Sequence, residues 1–300
     1  VTFFTAVQQA IDATRVILDH LAFGRAVSAA DAAPIVDAAI EGVVRQRDLM
    51  LLSVLGASGS DLLSVQSFGT AIVGAGLALH LGFSARQVKA LTYGALLADV
   101  GVIRIRHEIR NKSAALTPSE RDAVRTHPSL ALHLLSRMHR LPAEVPLIVF
   151  QHHERPNGTG YPVGIQDEKI HTFAGIVAVA SAFMALCSPR PWRPAFSPYR
   201  AVESLVHACS RGEYRGVVIK ALLSSLGIFP VGSWVELSDL RLARVVAANP
   251  DGYFRPVVAL PGPHAGAVPE RLDLADHADL SIARPVKSGR TVPPDPWFGL

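Results

Sequence analysis

Residues 150–162 read FQHHERPNGTGYP: two adjacent histidines and a glutamate stand directly ahead of a run of Pro, Asn and two glycines. On a continuous helix, neighbouring side chains point about 100° apart. His152 and His153 can therefore face one ion only where a helix ends and the backbone turns. The preceding PAEVPLIVFQ predicts a short helix, and RPNGTG supplies its end. Working outward, SARQ at 84–87 and TPSE at 117–120 are capping boxes, the second with Pro118 at the first helical position. The first box starts a helix through VKALTYGALLAD that should stop near Gly101 in a left-handed cap, placing Asp99 at a helix end. Ser197-Pro198 opens a further helix over YRAVESLVHACS.

Helical periods persist to about residue 228, beyond which SWVEL, LARVVA and RPVVAL follow period two between SDL and NPDG turns. The expected fold class is mainly α, a helical bundle with a small C-terminal β appendage. Its expected parts are an N-terminal helical region over 1–60, a central domain over 61–228, a β extension over 229–262 and a loosely structured tail over 263–300. The N-terminal region either packs on the core or forms a dimer surface, so a homodimer is among the expected partners.

With 49% apolar residues the chain can bury a substantial core. Its 29 basic and 25 acidic residues are interspersed and leave a net charge of only +4, so nucleic acid is not an expected partner. Cys187 and Cys209 form no close pair, which argues against a disulfide framework or thiolate zinc and suits a cytoplasmic location. The opening VTFFTAVQQAIDATRVILDH lacks the features of a secretory signal and reads as an amphipathic helix. The uncharged stretch 172–189, TFAGIVAVASAFMALCSP, falls short of the roughly 20 residues that span a bilayer. It is expected to be a buried core helix, and no membrane span is expected.

Of twelve histidines, none follows an HExxH spacing, and His20, His80, His107, His133, His139, His207, His264 and His277 read as surface or satisfied groups. An HH pair alone is a weak signal. HHE followed by GYP at this spacing is a strong one, and HHERPNGTGYP resembles the signature of HD-GYP domains, HD-superfamily phosphodiesterases that hydrolyse cyclic di-GMP. The resemblance extends, in order and spacing, over LHLGFSARQVKALTYGALLADVGVIRI, LTPSERDAVRTHPSLALHLL and AGIVAVASAFMALCSPRPWR, and covers about Asp61 to Leu226.

It implies an HD-superfamily helical bundle carrying two or three metals, usually iron or manganese, whose bridging water or hydroxide attacks a phosphodiester. The second-metal ligands Asp99, His127, His152 and His153 match the family pattern. The first-metal positions do not: the first histidine falls on Gln66, the doublet histidine on Ala98 and the last aspartate on Ser181. An acidic ligand of trimetal members falls on Leu62, and the catalytic-site lysine on Val102. Removing one metal's ligand set defeats a two-metal mechanism. The four that remain can hold a single divalent ion of iron, manganese or zinc, or can persist as a hydrogen-bonded relic without metal.

Arg190 and Arg193 fall where the family grips ligand phosphates, and Gly160, Tyr161 and Pro162 form the loop that lines the site and has been linked to diguanylate-cyclase docking. Asn157 replaces a more usual aspartate. The leading expectation is a degenerate HD-GYP protein that senses cyclic di-GMP or a related nucleotide, or serves as an interaction module, with little hydrolysis. The alternatives are an active single-metal phosphodiesterase and a docking domain that binds neither nucleotide nor metal.

Overall fold

A computed structural model describes residues 3–57, 61–249, 252–262 and 269–286. In chain order the helices are α1 (Phe3–Ala22), α2 (Ala29–Leu55), α3 (Leu62–His80), α4 (Ala85–Leu97), α5 (His107–Arg110), α6 (Pro118–Arg125) and α7 (His127–Leu135). They continue with α8 (Val145–Gln151), α9 (Thr172–Cys187), α10 (Pro198–Ser210) and α11 (Gly216–Leu226). Both capping boxes form. Ser84 N donates to Gln87 Oε1 at 3.0 Å to open α4, and Thr117 N donates to Glu120 Oε2 at 2.7 Å to open α6.

The centre of the bundle is α3, buried without a break from Ser64 to Ala78. A helix apolar on every side must be enclosed on every side, and α2, α4 and α9 supply that enclosure. Among the described residues α3 is also the one helix long and apolar enough to cross a membrane, and most of it is buried inside the protein. The uncharged stretch over 172–189 forms α9, likewise buried along most of its length. The N-terminal helix α1 packs on the core. Val7, Ile11, Ile17, Leu18 and Leu21 of α1 share one hydrophobic cluster with α3, α4 and α9.

Among the described residues seven short strands complete the fold: β1 (Val27–Ser28), β2 (Met138–His139), β3 (Trp234–Leu237), β4 (Leu242–Ala247), β5 (Val257–Leu260), β6 (Glu270–Asp273) and β7 (Ile282–Pro285). The last five make an antiparallel sheet in the order β6-β5-β4-β3-β7 with its own apolar cluster, including Val235, Leu237, Val245 and Val258. This corrects the expected loose tail over 263–300, because β6 and β7 are the two edges of that sheet. Both are short and carry charge, ERLD and IARP, as edge strands must if they are not to recruit another chain, so they show no period-two apolar signal. The rest of that expected tail, 263–268 and 287–300, lies outside the described residues.

Candidate metal centre

The four expected ligands reach one point from three helix ends. Asp99 lies just past α4, at the start of a 3₁₀ turn over Val100–Arg104; His127 opens α7; His152 and His153 follow the last residue of α8. Gly101 makes the first approach possible, though not as a left-handed cap, since its φ is not positive. A Cβ at Gly101 would stand 2.0 Å from the His127 carbonyl oxygen, so only glycine lets the turn after Asp99 lie directly on α7.

One oxygen of Asp99, Oδ1, faces three imidazole nitrogens: His127 Nε2 at 3.4 Å, His152 Nε2 at 3.6 Å and His153 Nε2 at 3.9 Å. These separations are too long for hydrogen bonds. A tetrahedral ion with ligands at about 2.1 Å sets its ligand atoms about 3.4 Å apart, close to this spacing. The other ring nitrogens fix the tautomers. His127 Nδ1 pairs with the Val124 carbonyl at 2.9 Å and His152 Nδ1 with the Val149 carbonyl at 2.8 Å, so each Nδ1 donates and each Nε2 keeps its lone pair. Both Nε2 atoms are buried without any hydrogen-bond partner. Two orphaned lone pairs aimed at a carboxylate are costly unless a cation joins them, and on that ground the residues fit a divalent ion.

Protonation favours the same ligand. Burial pushes His127 down to about 4, against the pull of Asp99, and pushes His153 well below the usual histidine range, with His152 adding to the effect. Burial opposes ionisation of Asp99, but the pull of the His152, His153 and His127 rings in their protonated form outweighs it and holds its carboxyl well below the usual carboxylate range. At neutral pH His127 and His153 are therefore neutral and Asp99 is ionised, the forms that bind metal.

The second oxygen of Asp99 meets different chemistry. Gln66, reached from the middle of buried α3, donates from Nε2 to Asp99 Oδ2 at 2.7 Å, and its own Oε1 accepts a short hydrogen bond from Arg190 Nη2. Gln66 is thus placed in the cluster, as a bridge between carboxylate and guanidinium. Among the His, Cys, Asp and Glu side chains of the described residues, the group with metal-ligand spacing is Asp99, His127, His152 and His153, and Ala98, Val102 and Leu62 carry no side-chain ligand atom. Arg190 and Arg193 pair through their main chains, with Arg190 N donating to the Arg193 carbonyl at 2.7 Å, while their guanidinium groups take different partners. Arg193 donates to the carbonyls of Ala185, Leu186, Ser188 and Pro194 around the end of α9, where it acts as a cap.

The GYP loop closes one side. The Tyr161 ring stacks on His153 with centroids 4.5 Å apart, and Arg125 lies over the far side of the cluster's rim at 5.6 Å from the Tyr161 centroid. The residue that shapes the loop is Glu154, whose role the sequence did not reveal. Its buried carboxylate accepts the N–H groups of Val163, Gly164 and Ile165 at 2.8, 3.0 and 3.1 Å. Three successive N–H groups converging on one anion form a nest. Gly160 completes it, because a Cβ there would stand 2.4 Å from Arg155 N.

The residue pattern of the HD domain family matches residues 62–214, more than half of the chain and the whole of this cluster. The chain belongs to the HD domain family, in its HD-GYP branch. HD domains are metal-dependent, in keeping with the cluster found here. Within the family the chain is 28% identical over 235 residues to a cyclic di-GMP phosphodiesterase of Pseudomonas aeruginosa, covering 78% of this chain and 56% of that one. It is 40% identical over 122 residues to the cyclic di-GMP phosphodiesterase response regulator RpfG of Xanthomonas campestris, covering 40% of this chain and 32% of the relative. The chain thus spans about half or less of the length of these curated relatives. In fold it matches the HDG"Y"P protein Bd1817 of Bdellovibrio bacteriovorus, with a TM-score of 0.57, 20% identity, and 72% and 69% of the two chains covered.

Proposed function

We propose that this HD-GYP domain takes part in cyclic di-GMP signalling as a nucleotide-binding or interaction module with a one-ion site and negligible hydrolysis. The observation that carries the reading is the asymmetry of Asp99. Its Oδ1 faces three imidazoles, whereas its Oδ2 is taken by the Gln66 amide with Arg190 behind it. Paired metals are needed to activate water and neutralise the phosphate together, and a carboxylate with one free oxygen cannot bridge two ions with one oxygen on each. Asp99, His127, His152 and His153 would hold the ion, which when bound supplies Lewis acidity toward a phosphate oxygen. Arg190 has further N–H donors with which to meet that phosphate. Tyr161 shields His153 from water on one face.

The test is calorimetric titration of cyclic di-GMP into the manganese- or iron-loaded chain, with chromatography of the nucleotide after incubation. Modest micromolar binding that weakens in Arg190→Ala, with the nucleotide recovered intact, is expected. Robust turnover abolished by His152→Ala would instead establish a single-metal phosphodiesterase, the reading favoured by the two orphaned Nε2 atoms. Absence of heat at high micromolar nucleotide would leave a docking module, with diguanylate-cyclase domains as candidate partners at the GYP loop.

A further inference from the structure

Gln66 is a polar side chain on a helix that is otherwise a core element, and it makes no contact with solvent that would explain it: it is 6% exposed. Both ends of its amide are used. The nitrogen donates to Asp99 Oδ2 at 2.7 Å and the oxygen accepts from Arg190. A neutral amide between a carboxylate and a guanidinium passes the positive polarity of the arginine on to the carboxylate. It also fixes which carboxylate oxygen points where, because an amide held at its oxygen end cannot flip.

Three consequences follow for Asp99. Rotation about its last side-chain bond is blocked, so Oδ1 stays on the imidazole side. Its Oδ2 is occupied by a donor and is unavailable to a second cation. Finally, the Arg190 guanidinium, which stays charged under physiological conditions, would repel any cation placed beyond Oδ2. We infer that Gln66, anchored by Arg190, is the positioning residue that presents Asp99 to the histidine side as a ligand with one free oxygen and so limits the cluster to a single divalent cation. This rests on the metal-binding reading of the same four residues. Partners of metal ligands are worth about 10–100-fold in metal affinity, and Gln66 is such a partner.

The experiment loads the full metal-free chain with manganese, zinc or cobalt(II), counts ions by elemental analysis and measures affinity against a competing chelator. The wild type should take one ion per chain. Gln66→Leu, which keeps most of the volume but removes the amide, should bind cobalt(II) about 10–100-fold more weakly. It should also change the cobalt visible spectrum, because Asp99 is free to turn; a merely structural role would lower the metal-free melting temperature and leave that spectrum unchanged. Should Gln66→Leu fail to fold, Arg190→Leu, which leaves the amide in place but unanchored, should show the same spectral change with a smaller loss of affinity. Two ions per wild-type chain, or an unaltered affinity and spectrum in the variants, would overturn the inference while leaving metal binding itself in place. No ion bound by the wild type would overturn the metal-binding reading and this inference together.

Discussion

The Asp99 cluster and the GYP loop are neighbours that handle buried polarity in opposite ways. In the cluster, His127 Nε2 and His152 Nε2 are buried with nothing to bond. In the loop, the buried Glu154 carboxylate is met by three successive N–H groups. The difference separates a site that needs a ligand from a scaffold that is complete on its own. Unsatisfied buried groups cost stability, a cost that a cation at the cluster would remove.

If that contrast holds, acid should damage the cluster first. His127 titrates near 4 in the folded chain, pushed down by burial, against about 6.5 when unfolded. Between those values the unfolded state carries more protons on this group, so stability rises with pH. The contribution is complete above about pH 6.5 and is lost as pH falls toward 4, amounting to on the order of 3 kcal/mol over the window. Melting of the metal-free chain across pH 7.5 to 4.5 checks this. His127→Gln should make the dependence shallower, leaving the part that His153 contributes, and an equally steep profile in the variant would place the acid-sensitive group elsewhere.

The next effect belongs to the loop. Glu154→Gln keeps the shape but replaces a charged acceptor of three N–H groups with an amide whose nitrogen must face a donor. Leaving a buried group unsatisfied costs about 1–3 kcal/mol, to be read as a lower urea midpoint. Unlike His127→Gln, this variant should leave metal affinity near the wild-type value. A common response to both changes would mean that loop and cluster form one network rather than two.

These two regions also differed in how far the sequence revealed them. Asp99, His127, His152 and His153 were legible through their match, residue by residue, to the HD-GYP pattern, and the helices themselves announced their starts through SARQ, TPSE and Ser197-Pro198. Gln66 was legible only as a lost ligand. Its bond to Arg190 joins positions 124 residues apart and leaves no trace in local pattern. Glu154 was hidden for a related reason, since its partners are main-chain N–H groups supplied by whatever residues stand at 163–165. The partners of Arg193 were hidden as well, because position in an RPWR run does not say that a guanidinium turns toward the carbonyls of α9. The strands β6 and β7 escaped because charge on an edge strand erases the alternation that marks an inner one.

The smallest expected effect tests the loop's self-sufficiency at the one position where it departs from the family signature. Asn157 Oδ1 accepts from Thr159 N at 3.1 Å and from Thr159 Oγ1 at 2.7 Å, contacts that an aspartate would keep. Its Nδ2, however, donates to the Arg211 carbonyl at 3.0 Å, and an aspartate would set two acceptors against each other there. Asparagine therefore ties the GYP loop to the turn after α10 in a way the more usual residue cannot. The site is solvent-accessible, so water repairs much of the loss, and Asn157→Asp should cost about 0.5–1.5 kcal/mol in urea unfolding. Metal affinity should stay at the wild-type value, because the contact lies on the side of the loop bound to α10 rather than to His153. A loss of metal affinity comparable with that of Gln66→Leu would show instead that the tether at Asn157 holds Tyr161 against His153, and the division between a ligand-requiring cluster and a self-sufficient loop would fall.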